Sequence, residues 1–581
     1  MSKKRSAIIA ASFLAILFLA ISIFRHFNLD ENQKFEDYTH SLFCQEVSGS
    51  TITLHYTLKN PSSYGIEDVP VTFGGFSTDT AMICAYVENA LALLHSHDRG
   101  RLSAENQLTY DVLENYLASS LREAQYTLYQ EPLAPLTGIQ AQLPVLLSEY
   151  QFYDISDVDT YLELLAKTPE YFRSILEFEQ AKSAAGLFMA SYCTDAIIEE
   201  CQTFIGLGAD NYLYSSFNER LKALKLEADT QANYMEQNIA CVENYVLPAY
   251  TQLIEGLSAL RTTGTNNGGL CYLPDGEKYY EILIASETGS SRSIPELQEL
   301  TRAQMADDLA VMQTALSSLP EETSLSSDVF KTQGGMLEDA DPTSILTTLE
   351  AKLKGYFPEP PVVNTQVKYV QESMEEYLSP AFYMVPAIDN TKNNVIYINQ
   401  GHLPDDISLF TTLAHEGYPG HLYQTVYYAS LDADPIRSLL NFGGYTEGWA
   451  TYSEMLSYYY TPLPKEQSTL MQKNSSIILG LYALADMGIH YDGWTLLDTV
   501  AFFRSYGITD MATIENIYDL IIADPGNYLK YYIGYVEFLD LKKDVIEKWG
   551  EDFTQKRFHK AVLDIGPAPF HILRKYILEA D

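Results

Sequence analysis

The sequence has few basic side chains: 37 Lys and Arg stand against 77 Asp and Glu in 581 residues, a formal net charge of −40. Binding to nucleic acid needs a basic surface that neutralises phosphates, so this imbalance excludes nucleic acid as a main partner. The chain also has no internal repeat, no low-complexity tract and no glycine-rich phosphate loop. What remains is a globular composition, 46% hydrophobic and 20% charged, at a length that predicts one large unit or two lobes.

Cysteine is scarce as well. The six cysteines are Cys44, Cys84, Cys193, Cys201, Cys241 and Cys271. None forms a Cys-x-x-Cys pair, which argues against a thiolate metal site. Their even number permits disulfides in an exported protein, and buried free thiols are the alternative.

A single long apolar run lies near the N-terminus, over residues 7–24, directly after a cluster of basic residues. A helix of this length just crosses a hydrocarbon core of about 30 Å. Basic residues ahead of such a helix stay in the cytoplasm, so the rest of the chain is expected outside. We therefore predict that residues 1–26 are a single-pass membrane anchor and that residues 27–581 form an extracytoplasmic domain. A cleaved signal peptide, which would make the protein secreted, is the alternative.

Most of the remaining chain has the apolar periodicity of helices. Residues 261–292 hold five glycines and predict a long loop or hairpin instead. The proline-rich stretch 356–364 predicts a join between an N-terminal lobe of about 27–360 and a metal-containing lobe of about 361–581. The run Val-Ile-Tyr-Ile at 395–398, rich in residues that favour β-strands, predicts a strand. The predicted fold is mainly α, a large two-lobed metallopeptidase-like fold with a small β-sheet beside the active-site helix.

One segment carries the residue types of a metal site. His415-Glu416 has the form of the start of the HExxH zinc helix, in which two histidines four residues apart share a face. Here Pro419 occupies the position of the second histidine, and the next histidine is His421. Residues six apart on an ideal helix point roughly 120° away from each other and cannot share an ion. Because proline cannot continue a helix and glycines lie close by on both sides, we predict a local break that returns His421 to the face of His415.

Zinc needs a further protein ligand, commonly a carboxylate from another helix. We assign Glu447 as that ligand, and Glu454, on roughly the same helical face, as a carboxylate that orients a ligating imidazole. Two histidines alone would more simply be hydrogen-bonded residues at a broken helix end. Two histidines with an adjacent Glu416 and a downstream Glu-Gly-Trp-Ala favour Zn²⁺ on His415, His421 and Glu447 instead.

These motifs carry a resemblance. The run His-Glu-Gly-Tyr-Pro-Gly-His at 415–421, followed by Thr-Glu-Gly-Trp-Ala at 446–450, resembles the bacterial domain-of-unknown-function family DUF885. That family is similar to a divergent branch of the gluzincins, the zinc metallopeptidases that combine HExxH with a downstream Glu. The resemblance covers roughly residue 60 to the C-terminus. It implies peptidase or other amide-hydrolase chemistry and names no substrate. The family usually has an arginine where Lys542 stands, so this sequence departs from the family pattern at that position.

The implied mechanism gives each residue a role. Glu416 would accept a proton from a zinc-bound water and deliver it to the leaving amine. The oxyanion needs a donor besides the metal, and related peptidases use a Tyr or His from a C-terminal segment. Tyr531 and His559 are therefore candidates, with His490 behind them, although each is more simply explained as a structural residue. If the strand at 395–399 is an edge strand it could pair with an extended peptide, and an ordinary core strand is the equal alternative.

The sequence thus predicts a membrane-anchored, extracytoplasmic zinc peptidase whose partners are a peptide substrate and the membrane. One alternative is a metal-dependent amidase that acts on cell-wall material. Another is a binding or scaffold protein that keeps the pocket and has lost the chemistry. The presence of both histidines together with Glu416 argues against the scaffold, because such a protein needs no general base.

Overall fold

The computed structural model describes residues 30–319, 341–370, 375, 378–402 and 406–579. The predicted membrane segment, residues 1–26, lies outside this part of the chain. Within the residues described, no helix combines the length and the apolar character needed to cross a bilayer.

The fold is mainly α, as predicted. The helices of the first half are α1 (Glu31–Val47), α2 (Thr51–Thr57), α3 (Thr80–His95), α4 (Ala104–Ala124), α5 (Ile139–Glu149), α6 (Ile155–Ala184), α7 (Ser191–Gly206), α8 (Tyr212–Ala223), α9 (Ala228–Cys241), α10 (Leu247–Leu260) and α11 (Gly276–Thr288). Those of the second half are α12 (Ile294–Ser317), α13 (Pro342–Lys352), α14 (Asp406–Glu416), α15 (His421–Ala429), α16 (Gly443–Ser457), α17 (Lys465–His490), α18 (Leu496–Ser505), α19 (Met511–Ala523), α20 (Asn527–Trp549), α21 (Gln555–Ile565) and α22 (Phe570–Leu578).

The glycine-rich stretch 261–292 is not the long loop or hairpin that its composition predicts, because α11 occupies its second half. The glycines bound this helix. A Cβ on Gly276, the first residue of α11, would lie 1.7 Å from the carbonyl oxygen of Leu270, so only glycine permits this approach. Gly289 follows the last residue of the helix at a φ of 63°, the left-handed conformation common at helix ends.

A three-stranded sheet lies beside α14. Its strands are β1 (Asn364–Tyr369), β2 (Ala381–Met384) and β3 (Asn393–Ile398), in the spatial order β1-β3-β2. β1 is parallel to β3 and β2 is antiparallel to it. The predicted strand is therefore confirmed, but it is the central strand with both edges paired. Pairing of a peptide along β3 is excluded for that reason, and β2 is the edge strand that contacts α14.

Two main hydrophobic cores lie in the part described. The larger one joins α1, α3 and α4 to helices of the C-terminal half, with Phe35 and Leu113 in the same cluster as Trp449 and Phe538. The smaller one lies among α5–α10 and reaches Tyr397 of the sheet. Both cores draw on segments from either side of residue 360, and the lobe boundary near that residue stays a prediction.

The six cysteines are all free thiols, of which Cys193 and Cys201 are buried. The alternative of free thiols therefore holds for this structure.

Helices α16 and α20 cross with their backbones in contact. A Cβ on Gly448 of α16 would lie 2.4 Å from the carbonyl carbon of Gly534 on α20, and a Cβ on Gly534 would lie 2.1 Å from the carbonyl oxygen of Gly444. This close crossing holds the helix that carries Glu447 against the helix that carries Tyr531.

We predict that Gly534→Ala lowers the melting temperature markedly, because the new methyl group forces the two backbones apart at a cost of about 1–3 kcal/mol. Gly206→Ala is the matched control, since no atom lies within 4 Å of its added Cβ. Thermal unfolding followed by circular dichroism measures both variants. Equal melting temperatures for Gly534→Ala and Gly206→Ala would contradict the close crossing.

Candidate metal centre

The helix that begins the motif breaks at the predicted place. α14 ends at Glu416 and α15 begins at His421. In the intervening turn the Gly420 N–H donates to the carbonyl of Ala414 at 3.0 Å. A Cβ on Gly420 would lie 1.7 Å from the carbonyl oxygen of His415, so the turn requires glycine there. The break brings the rings of His415 and His421 to 4.8 Å between centroids, at 81° to each other.

The turn is held from α16. The carbonyl oxygen of Pro419 accepts hydrogen bonds from the indole Nε1 of Trp449 at 2.8 Å and from the hydroxyl of Ser453 at 3.2 Å. Trp449 is fully buried. Sequence reasoning used Trp449 only as part of the motif and did not assign Ser453 a role. Trp449 and Ser453 are four residues apart, which places them on one face of the helix, and this spacing could have predicted that they act together.

Three ligand atoms converge at this break. His415 Nε2 lies 3.6 Å and His421 Nε2 lies 3.3 Å from Glu447 Oε2. Zinc binds nitrogen and carboxylate oxygen at about 2.0–2.2 Å with tetrahedral angles, which separates neighbouring ligand atoms by about 3.4 Å. The observed distances fit that separation. The structure thus brings together the three residues that the sequence predicts as ligands, with one ligand atom from each inside a 4.8 Å group.

One oxygen of the Glu447 carboxylate lacks a hydrogen-bond donor. Its Oε2 is buried and no hydrogen bond of suitable geometry reaches it. A buried carboxylate oxygen without a donor costs free energy unless a cation neutralises it. Two imidazoles and one carboxylate form one of the donor sets found in catalytic zinc sites. The residues present therefore fit Zn²⁺.

The site is electrostatically unusual. Burial alone would raise the pKa of Glu447, but the adjacent His415 and His421 outweigh it and hold that pKa far below its ordinary range. Burial alone would lower the pKa of His415, but Glu447, Glu454 and Glu416 raise it well above its ordinary value. For Glu416, burial outweighs the nearby histidines and raises the pKa. Such shifts in a group of half-buried side chains are typical of functional sites.

Two carboxylates border the ligands. Glu454 Oε2 lies 3.2 Å from His415 Nδ1, the nitrogen opposite the one that faces Glu447, which is where an orienting carboxylate belongs. Glu416 Oε2 accepts the backbone N–H of Tyr383 in β2 at 2.8 Å. Sequence reasoning did not anticipate this contact, because a backbone donor leaves no mark on residue identity.

The three candidate oxyanion donors lie in different places. The Tyr531 ring on α20 is 6.2 Å from the His415 ring, so it borders the ligands. His559 is buried and uses both nitrogens, Nε2 with the hydroxyl of Tyr452 and Nδ1 with the carbonyl of Tyr356. His490 likewise uses both nitrogens, with the N–H of Leu270 and the carbonyl of Ile521.

Burial lowers the pKa of His559 to about 3 and that of His490 to about 4. Both imidazoles are therefore neutral near pH 7 and are committed to structural hydrogen bonds. The structure brings only Tyr531 of the three to the ligands.

The family described as "Bacterial protein of unknown function (DUF885)" matches residues 78–577. No curated protein matches at a significant level.

Two solved structures share the fold. A protein of Colwellia psychrerythraea, described as a "putative lipoprotein", aligns with a TM-score of 0.83 at 18% identity, over 95% of this chain and 99% of its own. A "putative lipoprotein of unknown function" from Shewanella oneidensis aligns with a TM-score of 0.65 at 17% identity, over 94% of this chain and 99% of its own. At these identities the likeness concerns the fold alone.

We predict that Zn²⁺ raises the melting temperature of metal-free protein and that Glu447→Gln abolishes the rise. A ligand at about 1,000 times its dissociation constant stabilises the folded state by about 4 kcal/mol. Glu551→Gln, at an exposed position, is the matched control and should respond as the wild type does. An unchanged melting temperature on addition of Zn²⁺ to the wild type, or an equal rise in Glu447→Gln, would argue against the ligand set.

Proposed function

The chain belongs to the DUF885 family, described as bacterial proteins of unknown function. From the geometry of its candidate metal centre we propose that it is a zinc-dependent peptidase that hydrolyses peptide bonds outside the cytoplasm. One observation carries the proposal. His415 Nε2, His421 Nε2 and Glu447 Oε2 converge at the separations of a zinc site, and a further carboxylate, Glu416, is adjacent in sequence to a ligand.

The proposed site combines a metal with a base. Held by His415, His421 and Glu447, zinc would supply an acidified water and polarise the scissile carbonyl. Glu416 is the general base. The Tyr383 N–H fixes its Oε2, which leaves the second oxygen of the carboxylate to take the proton and pass it to the leaving amine.

Two side chains support this chemistry. Glu454 keeps the His415 ring oriented by accepting from Nδ1, so that Nε2 is free for the metal. Tyr531 is the proposed donor to the oxyanion, because its ring borders His415 and a tyrosine hydroxyl can donate without a change of charge. His490 and His559 have no part in the proposed reaction, since their nitrogens are engaged elsewhere.

We also propose an extracytoplasmic, membrane-attached location. The basic cluster ahead of the apolar run at residues 7–24 supports export. The description of two proteins of the same fold as "putative lipoprotein" supports attachment to a membrane. Attachment in this chain would use residues 1–26.

We predict that Glu416→Gln lowers peptide hydrolysis by about 10²- to 10⁴-fold and leaves bound zinc unchanged, because the variant loses the base and keeps the ligands. Digestion of a peptide library, read by mass spectrometry with zinc and chelator controls, measures activity, and elemental analysis measures zinc. Glu551→Gln again serves as the control. Undiminished turnover by Glu416→Gln would refute the role of the base, and wild-type protein without stoichiometric zinc would favour a scaffold.

We predict that Tyr531→Phe lowers kcat by about 10²-fold with little change in KM, because the hydroxyl acts only on the charge that develops during reaction. Tyr528→Phe, three residues earlier on α20, is the matched control, since its ring stacks on Tyr482. Steady-state kinetics on one peptide substrate separates the two parameters. Equal kcat values for Tyr531→Phe and the wild type would remove Tyr531 from the mechanism.

A further inference from the structure

A cavity rich in amide side chains, here the amide cavity, lies apart from the candidate metal centre. It has a volume of about 250 Å³ and lies between α2, the end of α5 and one face of the three-stranded sheet. Its amide side chains are Gln151, Asn364, Gln366, Asn390, Asn393 and Asn394. The connection from β2 to β3 supplies a further wall through residues 385–387.

The amide cavity and the candidate metal centre belong to opposite faces of the sheet. Successive side chains of a strand point to opposite faces. On β3, Val395 lines the amide cavity, whereas Ile396 faces the helix break, where its Cδ1 would lie 3.4 Å from a Cβ on Gly417. None of the three candidate metal ligands lines the amide cavity. A ligand of this cavity is therefore independent of the metal and of the proposed peptidase chemistry.

The charged side chains of the amide cavity offset one another. Lys368 Nζ donates to the hydroxyl of Tyr397 at 3.1 Å, and this hydroxyl donates to the carboxylate of Glu149. Lys368 and Glu149 both line the cavity, as does His55. Burial, together with the charge of Arg220, lowers the pKa of His55 to about 3, so its ring is neutral near pH 7. A cavity without net charge, in a chain with a net charge of −40, favours an uncharged ligand.

The amide cavity retains capacity for hydrogen bonds of both kinds. A side-chain amide has two donors and an acceptor oxygen with two lone pairs. Asn364 Nδ2 donates to Asn393 Oδ1 at 3.2 Å, a single bond that leaves each side chain able to form more. Gln366, on the same face of β1 as Asn364, is exposed. His55 is buried, and no hydrogen-bond partner among the described residues reaches its Nε2.

Aromatic rings and apolar side chains complete the walls. Tyr56 and Tyr153 line the cavity beside His55, whose ring is held by stacking on Tyr150 at 3.6 Å between centroids. Apolar surface comes from Val395 and from the connection that follows β2. A ligand that matches these walls presents groups that donate and accept hydrogen bonds and also has C–H surface to pack on rings.

We propose that the amide cavity binds a neutral sugar unit of a glycan. A pyranose ring carries hydroxyl groups around its rim, and each hydroxyl both donates and accepts, as the amides of Asn364, Gln366 and Asn393 do. The C–H groups on the faces of the sugar ring pack on tyrosine rings and apolar side chains. An extended peptide binds instead along a strand edge or in a long groove, and this cavity of about 250 Å³ lies over the face of a sheet.

The test measures saccharide binding by isothermal titration of the full-length, metal-free protein, in a detergent without a sugar headgroup. The probes are cellotriose, maltotriose, mannotriose and chitotriose, with trigalacturonate as an acidic counterpart. At least one neutral trisaccharide should bind, trigalacturonate should not, and addition of Zn²⁺ should leave the affinity unchanged.

Variants at exposed positions locate the binding. Gln366→Trp places an indole over the amide cavity and should abolish binding. The double variant Asn364→Ala/Gln366→Ala removes two amides and should weaken binding by at least about tenfold. Gln130→Ala is the matched control, since this exposed glutamine lies outside the cavity, and it should bind as the wild type does.

The contrary outcomes are distinct from a failure of the peptidase proposal. Absence of binding by all four neutral trisaccharides at millimolar concentration overturns the sugar site and leaves the peptidase standing. Wild-type affinity in folded Gln366→Trp also overturns it, and if that variant does not fold, wild-type affinity in the double alanine variant does so. Binding of trigalacturonate alone would refute the neutral ligand. Binding of a neutral peptide such as pentaalanine, in place of any saccharide, would assign the cavity to peptides and overturn the proposal.

Discussion

The two hydrogen bonds from α16 to the carbonyl oxygen of Pro419 are the constraint on which the rest of the site depends. Trp449 and Ser453 donate to that one oxygen, and Glu447 lies two residues before Trp449 on the same helix. A single helix therefore sets the shape of the turn between the two histidines and supplies the carboxylate that faces them. The six-residue spacing of the histidines becomes compatible with one ion because the turn is fixed from outside and is not left to its own backbone preferences.

The surroundings make this arrangement rigid. Gly444 and Gly448 bring α16 against Gly534 of α20, so the ligand helix cannot move without the helix that carries Tyr531. The sheet contributes a backbone N–H from Tyr383 to Glu416, which ties the proposed base to β2. The helix break, helix α16 and the edge strand β2 thus hold the candidate ligands and the proposed base from three sides, as precise positioning of such groups requires.

Much of the site was predictable from residue types. The proline and glycines between His415 and His421 predicted a break, and the contact of Glu454 with His415 was expected from the helical spacing of Glu454 to Glu447. Other features depend on contacts that sequence patterns do not record. The central position of β3 in the sheet depends on the two strands that pair with it. The imidazoles of His490 and His559, both candidate oxyanion donors, are hydrogen-bonded to residues distant in sequence. The glycines of 261–292 looked like loop residues because composition does not distinguish a glycine that bounds a helix from one that interrupts it.

The central claim is that one divalent ion is bound by two imidazoles and a carboxylate across a broken helix. Anomalous diffraction at the zinc edge from crystals of the zinc-loaded protein tests this most directly. The account predicts one strong peak within bonding distance of His415 Nε2, His421 Nε2 and a carboxylate oxygen of Glu447. A peak bound elsewhere, or imidazoles turned away from one another in the zinc-loaded crystal, would contradict it.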